Sequence, residues 1–235
     1  MPELVQEDIY RGAQQQYVCH RAINLYQSPD CQGLVTQVDV EDHLRLLEIA
    51  EAKKVIRVCS CKDDYLGWIS VSHLEDLTPA DRSYKAPVLT AAEIQAKLSQ
   101  VVAFTLAAMA TQNEYLWGGA TAPNYDCSGL MQAAFSSVGI QLPRDSYQQE
   151  DFTQRVDQSE LLAGDLIFFG TPERTTHVAL YLGEGQYIHS SGKDKGRNGI
   201  GIDSLTELSH PVSQSYYELL RCFGRVTKSY QPTGG

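Results

Sequence analysis

Ten residues divide this chain into two parts that must each bury a core of their own. The stretch Thr78-Pro-Ala-Asp-Arg-Ser-Tyr-Lys-Ala-Pro87 is polar and bracketed by prolines. Proline cannot donate to a helix or a central strand, so such a segment reads as an interdomain linker. The division expected is 1–77, a linker at 78–87, and 88–235. A length of 235 residues accommodates two small domains.

Before the linker, short β-like runs alternate with turn signals. Tyr17–His20, Leu34–Thr36, Val55–Val58 and Trp68–Val71 are the runs, with Ser28-Pro29-Asp30 and Lys62-Asp63-Asp64 between such pieces. Short strands at this spacing suggest a small barrel.

After the linker the period changes. Thr90-Ala-Ala-Glu93 is a capping box, and Ile94, Leu98, Val101, Val102, Thr105 and Met109 follow at helical spacing. One helix from Thr90 to near Asn113 is expected. A second begins near Cys127, with Leu130, Met131, Ala134, Phe135 and Val138 apolar and Gly139 as its C′ residue. Beyond Pro143, Asp165–Phe169, His177–Leu182 and Gln186–His189 read as strands, and Leu219–Phe223 as a closing strand. Helices first and an antiparallel sheet after them make an α+β domain.

Cys127 starts the second helix, within Asp126-Cys127-Ser128-Gly129-Leu130. The first-turn N–H groups and the helix dipole favour a thiolate there, and the same N–H groups can stabilise an oxyanion. A buried free cysteine is the commoner use of the residue. The thiol pKa is expected below the free value of about 8.5, although Asp126 pushes it the other way.

His177 and His189 supply imidazoles. If Gly183-Glu184-Gly185 is a three-residue hairpin loop, Leu182 faces Gln186 and Ala179 faces His189. The two histidines then share a face as diagonal neighbours, roughly 7–8 Å apart at Cα. A two-residue loop would move His189 to the opposite face. The arrangement that follows is a cysteine nucleophile, with His177 as base and His189 orienting it.

Asp126 reads as a helix N-cap. As a neighbour of a thiolate it makes chemical sense when a cationic substrate group is nearby. Asp145-Ser146 is either a turn-and-cap or part of a polar pocket wall. Arg144 is either a clamp for a substrate carboxylate or one half of a surface ion pair.

Composition excludes other classes. A net charge of −10 disfavours nucleic acid or an anionic membrane surface as the main partner. The most apolar run, Val101–Ala110, is far short of the ~20 residues that span a bilayer. The start, Met1-Pro-Glu-Leu-Val-Gln-Glu-Asp, has neither the basic nor the apolar region of a secretory signal, so a cytoplasmic location is expected. A secreted form whose signal has been removed is the alternative. Six cysteines show no framework spacing, and Cys59-Ser60-Cys61 is too close for a zinc pair with no second pair following. No metal and no cofactor is expected.

The ordered motifs carry a resemblance. Tyr115-Leu-Trp-Gly-Gly119, Asp126–Leu130, Leu142-Pro-Arg-Asp-Ser146, Gly164–Phe169, Thr176–Gly183 and Tyr187-Ile-His-Ser190 together resemble the NlpC-type, papain-like cysteine peptidases of bacterial cell-wall metabolism. The resemblance covers most of 88–225 and implies Cys127 as nucleophile, His177 as general base and His189 as the orienting residue. With Gly67-Trp68-Ile69 near its end, the first domain resembles a bacterial SH3-like module. This pairing resembles a subgroup that hydrolyses the γ-D-glutamyl–diamino acid bond of peptides with a free N-terminal L-alanine. That resemblance implies Asp126, Ser128, Ser146 and Asp145 in the substrate pocket, with Tyr65 and Asp30 closing it from the first domain.

The function expected is thus a γ-D-glutamyl-L-diamino acid endopeptidase acting on murein peptides such as L-Ala-γ-D-Glu-diaminopimelate during cell-wall recycling. An N-acetylmuramoyl amidase or acyltransferase on the same fold, and an inert wall-binding protein, are the rivals.

Overall fold

The computed structural model describes residues 15–233. The amino-terminal segment on which the location expectation rests therefore lies outside the described residues. The chain separates into two units, Met1–Ala86 with Gln231–Gly235, and Pro87–Tyr230.

In the first unit, β1 (Gln16–Cys19), β2 (Ile23–Tyr26), β3 (Leu34–Val38), β4 (His43–Ala50), β5 (Val55–Ser60), β6 (Leu66–Ser70) and β7 (Leu77–Pro79) form one sheet. Its order is β3-β2-β6-β5-β4-β1-β7, and neighbouring strands are antiparallel. Every strand, including both end strands, places side chains in a single core around Leu25, Val38, Leu44, Ile56, Ile69 and Leu77. A sheet whose two ends share one interior wraps around it as a small barrel does.

The stretch read as a linker begins inside this unit. Leu77–Pro79 pairs with Cys19–Tyr17, and Ala80 and Tyr84 donate their backbone N–H groups to Gln16. Proline is tolerated in β7 because that strand lies at the sheet edge.

The second unit opens with α1 (Ala91–Gln95) and α2 (Leu98–Ala110). Both halves of the capping box form, with Glu93 bound to the Thr90 N–H and Thr90 accepting from Glu93. The single helix expected is instead two. A tight turn at residues 96–97 has Lys97 donating to Ile94, three residues back, and the buried stripe Ile94, Leu98, Val101 and Thr105 runs across it. Packing of that stripe holds the face while the backbone ladder breaks. Asn113 lies beyond the helix and accepts from the Ile200 N–H at 2.8 Å.

A short pair, β8 (Ala120–Thr121) and β9 (Asn124–Tyr125), leads into α3 (Cys127–Ser136). Gly139, at φ +82°, closes α3 as expected: its N–H bonds Ser136, and the Ile140 N–H reaches back to Phe135. After α4 (Ser146–Phe152) come β10 (Gln154–Val156), β11 (Leu166–Gly170), β12 (Thr175–Gly183), β13 (Gln186–Ser191), β14 (Gly199–Ser204), α5 (Pro211–Tyr217) and β15 (Leu220–Arg225).

The sheet order is β10-β15-β11-β12-β13-β14, antiparallel throughout. Its central strands are buried on both faces. Leu166, Phe168, Val178, Leu180 and Ile188 face the α1–α3 side, and Ile167, Phe169, Ala179 and Tyr187 face α5.

The hairpin between β12 and β13 differs from expectation. Gly183 pairs with Gln186, so the loop has two residues, Glu184 and Gly185, both at positive φ. Both central residues at positive φ are what a type I′ turn requires. A bulge between Tyr181 and Gly183 then absorbs one residue, so Tyr181 faces Tyr187 and Leu180 faces Ile188. The short loop alone would turn His189 away; the bulge restores its parity.

Candidate active site

Cys127 occupies the first turn of α3 because Asp126 caps that helix. The Asp126 carboxylate accepts from the N–H of Gly129 at 2.7 Å and of Gly118 at 2.9 Å. Gly129 is forced by close approach: a Cβ there would overlap the Gly119 carbonyl oxygen.

Arg144 completes this nest. It is 1% exposed, and its Nη1 and Nη2 bind the two Asp126 oxygens at 3.1 and 2.6 Å. Nη1 also donates to Ser128 at 2.8 Å, and Ser128 donates to Asp126 at 3.2 Å. Arg144 is therefore neither of the two things the sequence offered. It is buried, and it neutralises the carboxylate beside the thiol. Asp145 stands at the N-cap of α4, where its N–H donates to Gln148 Oε1 at 3.0 Å, and Ser146 is buried.

The thiol is 6% exposed. Burial, and after it the Asp126 charge, pushes its pKa up to about 12, against smaller opposing effects from the Val178 backbone, Arg144 and the Ser128 backbone. Burial and the Asp126 charge thus oppose the lowering expected from the helix start. The helix start is present, but desolvation outweighs it at this nearly buried residue.

β12 packs along α3 and carries His177, next in sequence to the Val178 backbone group that meets the thiol. His177 Nε2 lies 2.7 Å from His189 Nδ1. Both rings are buried, and burial pushes both pKa values down, that of His177 well below 6.5. Tyr216 of α5 packs on both rings, with centroids 4.4 Å from His177 and 4.8 Å from His189. The same tyrosine hydroxyl feels the charge of a Cys127 thiolate.

Three members of this cluster escaped the sequence reading. Asp203 Oδ2 sits 2.8 Å from His189 Nε2 and 2.6 Å from Arg197 Nη2, and Tyr216 forms the wall. A signal existed: Gly199-Ile-Gly-Ile-Asp203 alternates with period two, as a half-buried strand does.

The arrangement thus sets two imidazoles of lowered pKa on the strand pair beside a thiol of raised pKa at a helix start. Among the described residues no group of His, Cys, Asp or Glu side chains is arranged to hold a metal. Two expected pocket residues lie in the first unit. Asp30 is exposed and paired with Lys53 at 2.8 Å, and Tyr65 is half-buried beside the Lys62–Asp64 turn.

The pattern of the NlpC/P60 family matches residues 112–220, and that of the bacterial dipeptidyl-peptidase SH3 domain matches 25–74. Over 94 residues the chain is 40% identical to a probable endopeptidase NlpC homolog of Haemophilus influenzae, covering 40% of this chain and 48% of that protein. It is 35% identical over 116 residues to the bifunctional muramidase/DL-endopeptidase CwlT of Bacillus subtilis, covering 48% and 32%. Over 112 residues it is 35% identical to the gamma-D-glutamyl-L-lysine dipeptidyl-peptidase of Bacillus subtilis, covering 46% and 36%. The chain spans less than half the length of each of these relatives. It carries an NlpC/P60 domain preceded by a bacterial SH3 domain.

Proposed function

We propose that this protein is a cysteine endopeptidase that hydrolyses the γ-D-glutamyl–L-diamino acid bond of murein peptides bearing a free N-terminal L-alanine. The observation carrying the proposal is the 2.7 Å contact between His177 and His189 on the strand pair beside the Cys127 thiol. Similarity to a relative named for γ-D-glutamyl-L-lysine cleavage supports the choice of bond.

The thiol pKa is raised and that of the imidazole lowered, so the free enzyme holds a neutral pair. As the sulfur attacks the γ-carbonyl of D-Glu, its proton passes to His177. The N–H groups at the start of α3 stabilise the oxyanion. The C–N bond then breaks, and the imidazolium gives its proton to the departing amine of the diamino acid. Water, deprotonated by His177, cleaves the thioester and returns the thiol.

Asp126, Ser128, Ser146 and Asp145 are the proposed contacts of the peptide's amino end. Because Asp126 is already paired with Arg144, an alanine ammonium enters by sharing that carboxylate. A requirement for a free amino end fits peptides already released from the wall, and with them a cytoplasmic recycling role.

Mass spectrometry of products from L-Ala-γ-D-Glu-diaminopimelate, amino terminus free or acetylated, tests this. Free diaminopimelate is expected from the first and little from the second, with none from Cys127→Ala. Equal release by Cys127→Ala, or no release by the unmodified protein, would refute the assignment. Cleavage of the acetylated peptide or of intact sacculi at the same rate would remove the free-alanine requirement.

A further inference from the structure

We infer that Asp203 is a positioning residue that sets the tautomer of His177 from one ring away, through His189. The inference rests on the reading of Cys127 and His177 as nucleophile and base.

β14 lies beside β13 with Gly201 opposite His189 and Asp203 opposite Tyr187. Asp203 is thus a diagonal neighbour of His189 on one face, and its Oδ2 lies 2.8 Å from His189 Nε2. A carboxylate can only accept, so His189 Nε2 carries the hydrogen. A neutral imidazole has one N–H, which leaves His189 Nδ1 as a lone pair. The 2.7 Å contact between the rings is then donated by His177 Nε2–H. His177 Nδ1, the remaining nitrogen, is consequently bare and able to take the thiol proton.

Without an acceptor at position 203 the ring pair has a second arrangement. His189 Nδ1–H would donate to His177 Nε2, the hydrogen bond between the rings would survive, and His177 Nδ1 would already hold a hydrogen. That tautomer cannot act as a base toward sulfur. The two arrangements differ by two proton positions, one on each ring, and by nothing in the packing.

The surroundings keep Asp203 ionised for this task. Arg197 Nη2 donates to Oδ2 at 2.6 Å, and Ser213 donates to Oδ1 at 3.0 Å. Burial alone would raise the Asp203 pKa, but the bond from His189 and the Arg197 charge bring it below the usual carboxylate value. Other groups that face the cluster are His210, whose Nδ1 is 3.6 Å from Oδ1, the Tyr187 and Tyr216 hydroxyls, and Lys195, whose charge acts on His177. Asp203 also borders a cavity of about 520 Å³ lined by Arg197, His210, Glu184 and Glu207.

Nitrogen NMR on the histidine-labelled, unmodified protein reads the tautomers directly. Hydrogens on Nε2 of both His177 and His189 are expected; a hydrogen on Nδ1 of His177 would overturn the inference. Asp203→Leu, which keeps the bulk and removes the acceptor, checked for folding by circular dichroism, should lower kcat for diaminopimelate release by about 10- to 100-fold with KM unchanged. It should also give a mixed tautomer signal at His177, and Asp203→Glu should recover part of both. A folded Asp203→Leu protein with full kcat, alongside an inactive Cys127→Ala, would overturn this inference alone. Activity in Cys127→Ala would instead overturn the underlying reading of the nucleophile.

Discussion

Arg144 closes its guanidinium over Asp126, with Nη1 3.1 Å from one carboxylate oxygen and Nη2 2.6 Å from the other, and almost none of the arginine reaches solvent. The pair joins the cap of α3 to the segment that leads into α4. Removing one partner strands a buried charge, which typically costs about 3–5 kcal/mol. Arg144→Met should therefore lose stability on that scale in urea unfolding, and Arg144→Met combined with Asp126→Asn should lose less than Arg144→Met alone. Loss of the positive charge also raises the thiol pKa further, so alkylation of Cys127 should slow in the single variant.

The raised thiol pKa makes a prediction about reactivity. With the thiol at about 12, very little thiolate exists at neutral pH. Iodoacetamide labelling of Cys127 in the free protein should accelerate about tenfold per pH unit from neutrality upward, following the thiolate fraction. A plateau reached below pH 7 would show a preformed thiolate–imidazolium pair instead.

Stability should fall on acidification through the histidines. His177 and His189 are held neutral in the folded protein, with pKa values below the ordinary 6.5. Below pH 6.5 the unfolded chain binds protons that the folded one refuses, so stability is lost as pH falls from there. Each ring contributes up to about 1.4 kcal/mol per pH unit. Thermal melts from pH 7.5 to 5 should show this slope, and His177→Gln should lessen it by about one proton. The thiol acts at the other end. Its raised pKa contributes stability that is fully present below about 9 and lost as pH rises toward about 12.

Gly129→Ala should be severe despite alanine's helix propensity. The added methyl meets the Gly119 carbonyl oxygen and the Ala120 Cα, both backbone. That oxygen also accepts from the Asp126 N–H at 2.9 Å, so it cannot move without undoing the cap. Overpacking of this kind typically costs about 3 kcal/mol at its upper range. Chemical denaturation should show the loss, together with loss of whatever turnover the unmodified protein has.

Local signals carried most of the architecture. The capping box at Thr90, the C′ glycine at 139 and the apolar runs of β12 and β13 are each written within a few neighbouring residues, and each appears in the structure. The break at residues 96–97 was illegible because the apolar stripe continues across it unchanged. The histidine pairing was legible only in outcome. Glycines flanking Glu184 suggested an odd loop, whereas the protein uses an even turn and an odd bulge, and the two parities cancel. The partnership of Asp126 with Arg144 was the least readable feature. Which of many charges becomes buried depends on the tertiary path of 118–145, and no periodicity records it. Asp203 fell between these cases: its strand was visible, but its neighbour was not.

The final strand, β15, is laid into the sheet between β10 and β11 and does not lie at its margin. On the ribosome, every member of the histidine relay emerges before the strand that braces β11, whose Phe169 packs under His177. Until Leu220–Arg225 are released, a nascent chain holds the reactive side chains on a sheet with a bare inner edge. The sheet that carries both histidines is therefore complete only once this late stretch of the domain has paired.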